Sequence, residues 1–110
     1  MPAAEASRPA QAAALFAALG DGNRLLLIDR LCASGPTSIT HLAAGTAISR
    51  QAVTKHLQRL EEAGLVHSYR DGRERLWQME ARRLEDAQRY LQLISTRWDA
   101  AIDRLRRYVE

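Results

Sequence analysis

Cys32 and Lys55 are the chain's only cysteine and its only lysine in 110 residues. A lone thiol forms no internal disulfide and supplies no multi-thiolate metal site within one chain. No apolar run approaches the roughly 18 to 20 residues that crossing a bilayer takes, and the N-terminus MPAAEASRPAQ lacks the basic start and apolar stretch of a secretory signal. A cytoplasmic protein without a membrane partner is therefore expected. Proline (3) and glycine (6) are scarce beside 46% hydrophobic and 26% charged residues, which excludes a low-complexity chain and leaves an ordinary globular composition. Glycine-rich phosphate loops and activated nucleophiles are missing as well, and the carboxylates occupy ordinary solvated helix positions. Those absences argue against an enzyme and against a bound cofactor.

What is present fits one domain with one core, the most that this length supports. The formal net charge is +3, and every basic residue except Lys55 is arginine. Such a mild excess is compatible with a polyanionic partner and does not establish one. Residues 1–9 carry no periodicity and read as a flexible leader. The segment 10–110 reads as the folded domain, beginning with a helix over 10–19 whose large apolar residues are Leu15, Phe16 and Leu19. The break GDGN follows, and Asp21 or Asn23 caps a second helix with Leu25, Leu27, Ile28 and Leu31 inward, stopped by Ser34, Gly35 and Pro36. Cys32 near its end reads as a small packed side chain, with a single-thiol redox switch as the alternative if it is exposed.

Ser38 caps a short third helix, ITHLAAGT, and Ser49 caps a fourth that runs to about Ala63, with Gly64 beyond its end. Two helices joined by a tight turn make a helix-turn-helix. The stretch LVHSYRDGRERLWQM then places strand-like runs on both sides of Asp71-Gly72, a hairpin signal in which both residues tolerate positive φ. The expected fold is mainly α with a small β-hairpin: a winged helix-turn-helix of five helices and a two-stranded wing. The last helix, about 81–108, carries Leu84, Ala87, Leu91, Ile94, Trp98, Ala101, Leu105 and Tyr108 in alternating steps of three and four. That heptad seam exceeds what a core of this size absorbs, so part of it is expected to pack on a second subunit.

On the fourth helix a step of about 100° per residue puts Ala52, Val53, His56, Leu57, Leu60 and Ala63 on one side and Gln51, Thr54, Lys55 and Gln58 on the other. The polar side meets no carboxylate until Glu61. Gln, Thr and Lys hydrogen-bond base edges in the major groove of double-stranded DNA, where such proteins present the first turns of their second helix. A capped helix start also suits a phosphate, and Arg70, Arg73 and Arg75 around the hairpin tip suit a minor groove or flanking phosphates, although Asp71 and Glu74 stand among them. His56, on the inward side, is expected to be a packed, hydrogen-bonded residue; neither it nor His67 reads as a ligand.

The stretch ISRQAVTKHLQRLEEAGLVHSYRDGRERLW, with LGDGNRLLLIDRL upstream, resembles the ArsR family of winged-helix repressors over residues 13 to about 80, through S-x-x-x-V-x-x-H-L-x-x-L-x-x-A-G-L-V. The resemblance implies that Arg50, Gln51, Thr54 and Lys55 read an operator and that the chain is a homodimer through its first and last helices. The dimer residues would then be Leu15, Phe16, Leu19, Leu84, Leu91, Ile94, Trp98 and Leu105. Asp21-Gly22-Asn23-Arg24 stands where the family has D-P-T-R. Metal-sensing members carry Cys-x-Cys in the third helix or His and Asp ligands in the last, whereas this chain has THLAAG in the third and neither His nor Cys after His67. It looks like a metal-independent subgroup, with a terminal Arg-Leu-x-x-Tyr. An unidentified small-molecule effector, seated between the first and last helices near Trp98, is one expectation. The alternative to a repressor is a winged-helix module that docks proteins and reads no DNA sequence.

Overall fold

In a computed structural model, which describes residues 2–109 and side chains from residue 10 onward, the elements follow in the order α1 (Pro2–Leu19), α2 (Gly22–Ser34), α3 (Ile39–Ala43), α4 (Arg50–Glu62), β1 (Val66–Asp71), β2 (Glu74–Met79) and α5 (Ala81–Val109). Five helices and a two-stranded antiparallel hairpin make a winged helix-turn-helix. Residues 2–9, read from the sequence as a flexible leader, are the first residues of α1. The alanines at 3, 4 and 6 supply helix propensity, and Pro2 sits at the first helical position, where its missing N–H costs nothing.

The core is aliphatic and sits where α1, α2, α3 and α4 meet the base of the hairpin. Leu15, Leu27, Ile28, Leu31, Leu42, Val53, Leu57, Leu60, Leu65, Val66, Trp77 and Ala87 form one buried cluster, edged by Leu19, Ile39, Ile48 and Leu84. Leu25, predicted to face inward on α2, is 50% exposed, because Leu27, Ile28 and Leu31 already occupy the helix side that meets the core. Cys32 is exposed too, so the packed-thiol reading does not hold.

The starts of α2, α3 and α4 each carry a side-chain acceptor. Of the two candidate caps for α2 it is Asp21 that acts, its Oδ1 accepting from the amides of Asn23 (2.9 Å) and Arg24 (3.1 Å). The Arg24 amide foremost, with that of Asn23, holds the Asp21 carboxyl below the usual aspartate range. Ser38 and Ser49 cap α3 and α4 by accepting from His41 and Ala52. Helix ends are closed by glycine and, at three of them, by arginine. Arg24 Nε donates to Ala18 O at the end of α1 (2.6 Å), Arg30 Nη1 to Leu42 O and Ala44 O at the end of α3 (3.2 and 2.6 Å), and Arg83 Nε to Ala63 O at the end of α4 (3.2 Å). At α4 the Gly64 amide meets Glu61 O and the Leu65 amide meets Leu60 O, a Schellman closure with Gly64 at φ +77°.

The hairpin turn lies one residue beyond the predicted one. Asp71 pairs with Glu74 across the ladder, which leaves Gly72 and Arg73 as the two-residue loop; Gly72 alone has positive φ (+66°). Glycine at the first loop position satisfies a type II′ turn, so no second residue enters the left-handed region. A third, one-residue strand joins the wing: Thr37 exchanges both backbone hydrogen bonds with Trp77 (3.0 and 2.8 Å) and ties the approach to α3 to β2.

Two outcomes follow. Gly64→Ala should destabilise the chain by about 1–2 kcal/mol in urea denaturation, because a Cβ there enters the left-handed region and meets Arg83 Nε at 3.2 Å. For Asp21, a folded-state pKa below the unfolded one means that the stabilisation is complete above the ordinary aspartate range and is lost as pH falls through the folded value. The stability difference between wild type and Asp21→Asn, which keeps a capping oxygen but no charge, should therefore be larger at pH 6 than at pH 3.

Candidate nucleic-acid interface

The turn between α3 and α4 aims the second helix. Thr46 holds it: its Oγ1 donates to Ala43 O (2.7 Å) and accepts from the Ile48 amide (3.1 Å), while its own amide meets Ala43 O (3.1 Å). Ile48 packs on the core and Ser49 starts α4. Val53, Leu57 and Leu60 are each 0% exposed and fix the roll of α4 about its axis. The opposite face is thereby turned to solvent.

Ser49, Arg50, Gln51, Lys55 and Gln58 are exposed on that face, and Thr54 is half-buried at its edge. Ser49 Oγ serves the Ala52 amide, and the amides of Arg50 and Gln51, like those of any first helical turn, have no acceptor within the helix. The positive end of the helix dipole and two cationic side chains thus converge on one surface that suits an anion. Thr54 differs from its neighbours: its Oγ1 donates to Arg50 O (3.0 Å), so toward a base it offers lone pairs and a methyl group but no proton.

The wing separates its charges by face. Because side chains alternate along a strand, Arg70 and its partner Arg75 lie on one face, together with Val66 and Trp77 of the core, while Asp71 and its partner Glu74 lie on the other with His67 and Tyr69. The carboxylates therefore do not interleave with the arginines. Like charges directly opposite repel, and Arg75 turns along the strand to donate from Nη1 to Ser68 Oγ (2.8 Å). Arg73 stands exposed in the loop. The alternation was available in the sequence, since Arg70 and Arg75 share one face and Glu74 takes the other with either two-residue loop.

His56 and His67 are both engaged. His56 Nδ1 lies 3.4 Å from Arg24 Nη1; since arginine only donates, that nitrogen accepts. Arg24 thereby ties the end of α1 to α4, a bond that no sequence pattern announces. His67 lies between Gln78 Nε2 (2.9 Å) and Glu80 Oε2 (3.1 Å) at the base of the wing. Among the described residues no group of three or more His, Cys, Asp and Glu is placed to hold a metal ion, and no helix is long and apolar enough to cross a membrane.

The residues predicted for a subunit interface divide in two. Leu15 is 2% exposed and belongs to the chain's own core, because α1 turns it toward the buried cluster, and Leu19 and Leu84 are partly buried against that cluster. Phe16 is half-buried, its ring 5.9 Å from that of Tyr90 on α5, and Ile94 is half-buried. Beyond them α5 runs past the body: Leu91 (52%), Trp98 (64%), Leu105 (64%) and Tyr108 (91%) are exposed along one seam. A cavity of about 270 Å³ does open between α1 and α5, but Tyr90 and Leu93 line it rather than Trp98.

Known proteins share this arrangement. A sequence profile of the MarR family matches residues 21–74. The HTH-type transcriptional regulator YuzN of Bacillus subtilis is 41% identical, over 57% of this chain and 75% of its own. The solved structure of an ArsR-like transcriptional regulator from Rhodococcus sp. RHA1 superposes with a TM-score of 0.73 at 34% identity, covering 92% of this chain and 94% of the other. The homodimeric winged helix-turn-helix DNA-binding domain of Mb0332 from Mycobacterium bovis superposes with a TM-score of 0.66 at 27% identity, covering 92% and 90%.

Proposed function

Because this chain belongs to the ArsR-like family of winged helix-turn-helix transcriptional regulators, whose activity is to bind DNA, we propose that it is a repressor that reads an inverted-repeat operator as a homodimer in the cytoplasm. The observation that carries this reading is the outer face of α4: exposed Arg50, Gln51, Lys55 and Gln58, no carboxylate in the first turns, and a serine cap with free amides beside it. Gln51, Thr54 and Lys55 face base edges in the major groove; Ser49 and the first amides of α4 hold a backbone phosphate. Arg70, Arg73 and Arg75 bring the basic face and tip of the wing to the flanking groove.

A homodimer built on the exposed seam of α5 (Leu91, Trp98, Leu105 and Tyr108) with the rim of α1 at Phe16 covers apolar surface that a lone chain leaves in water. Mb0332 is a homodimer of the same fold, which supports the arrangement. Two-fold symmetry then sets two copies of α4 about 34–36 Å apart, on successive major grooves of one duplex face.

The deciding experiment is selection of bound fragments from the source genome. A repressor enriches a two-fold symmetric sequence with half-sites about 10 base pairs apart; enrichment of no sequence, with little dependence on salt, would mean a protein-docking module instead. On the selected operator, Gln51→Ala and Lys55→Ala should each cost about 1–3 kcal/mol of binding and leave thermal unfolding unchanged. Losses of equal size on scrambled DNA would reassign them to phosphate. Arg73→Ala should weaken cognate and scrambled DNA alike and lower the salt slope by about 1. In sedimentation, Leu105→Glu should give a folded monomer with no measurable operator affinity at protein concentrations that saturate the wild type.

A further inference from the structure

The cleft between α1 and α5 combines apolar walls with charged groups. Ala12, Leu15, Tyr90 and Leu93 supply apolar walls, and Phe16 backs the Tyr90 ring at 5.9 Å. Gln11, Arg83, Asp86 and Arg89 supply polar groups. At about 270 Å³ the space exceeds the roughly 150 Å³ that suffices for benzene. On the α5 wall two guanidiniums flank one carboxylate, and their ion pairs are loose: Arg83 Nη1 to Asp86 Oδ2 is 3.5 Å and Arg89 Nη1 to Asp86 Oδ1 is 3.9 Å. Arg89 also reaches Glu85, outside the cleft, at 3.7 Å. A charge-assisted pair in good geometry closes to about 2.7–2.9 Å, so both arginines keep donors that a bidentate acceptor satisfies better than the present partners do.

We infer that this cleft binds a small amphipathic carboxylate, its apolar body between α1 and α5 and its carboxylate on Arg89 and Arg83, as an effector that acts on the end of α4. Arg83 carries the coupling. Its Nε donates to Ala63 O, at the closure of α4, and its side chain lies against Gly64, while its Nη1 faces the cleft. A carboxylate that draws the guanidinium toward the cleft competes with that cap, and the differential contact shifts the seating of α4. The regulatory half of the inference rests on α4 being the DNA-reading element proposed above; the binding half does not.

The test uses the full chain without DNA. Isothermal titration calorimetry is run with acetate, phenylacetate, indole-3-acetate and octanoate, and with the amide of each. At least one of the three larger acids should bind saturably at one per protomer, at least tenfold tighter than acetate and than its own amide. Arg89→Gln, with unchanged thermal unfolding, should erase the preference for acid over amide. Saturable binding by none of the acids, or equal binding of acid and amide, overturns the site. The amide resonances of Gly64 and Leu65 should move on addition of the tightest acid; binding without that movement overturns the coupling. Failure to find an operator would remove the repressor reading and leave these DNA-free results standing.

Discussion

A helix of thirteen residues presents a chosen set of polar side chains outward only if its roll, its two ends and its tilt are all fixed, and α4 meets each condition by a separate means. Val53, Leu57 and Leu60 set the roll by filling the core at spacings of four and three. Ser49 fixes the start and the Gly64 turn fixes the end. The tilt depends on what grips the helix from outside, and two arginines do so: Arg24 through His56, and Arg83 through Ala63 O. Rotation of α4 by even half a turn would bury Lys55 and expose Leu57, a loss of several kcal/mol of burial that no surface interaction offsets.

The abundance of arginine takes a second meaning from this. In the sequence it counts toward a basic surface, yet Arg24, Arg30 and Arg83 spend donors on main-chain oxygens where helices end. A planar fork with several fixed donors can hold one carbonyl and still reach another group, as Arg24 does with Ala18 O and His56; a lysine ammonium on a flexible stem does this less well. Basic charge is accordingly a poor guide to phosphate contacts in this chain. Arg50 at the α4 start and Arg70, Arg73 and Arg75 of the wing are exposed instead, as are arginines along α5.

Much of this architecture is legible in the sequence because it is periodic or punctuated. The polar stripe of α4, the serine caps, the Gly64 closure and the seam of α5 each repeat at a helical spacing or use a residue that only a helix end favours. Features built by a single long-range bond leave no such trace. The Thr37–Trp77 bridge is one residue long, Thr46 is an unremarkable turn residue, and the arginine caps join positions from 6 to 20 apart in sequence. Where two solutions satisfy the same local chemistry, the local rule fails: Asp71-Gly72 and Gly72-Arg73 both offer a glycine for a two-residue loop, and both registers put Val66 and Trp77 on one face, so strand alternation does not choose between them. Leu15 and Leu25 exchange their predicted places for a related reason, since an apolar residue on a short helix does not reveal which neighbour covers it.

The two arginines that grip α4 lead to different places. Arg24 connects it to the C-terminal end of α1, and Arg83 to the first turn of α5. Both are the helices whose outer surfaces remain apolar and uncovered, α5 most of all from Leu91 onward. A second subunit seated there would bear on α1 and α5 directly and on α4 through two guanidiniums, Arg24 at its middle through His56 and Arg83 at its C-terminal end. In such a pair the angle between the two copies of α4 would be set by the same bonds that keep each one seated, so that whatever loosens Arg24 or Arg83 would alter the spacing of the two helices before it altered the fold of either chain.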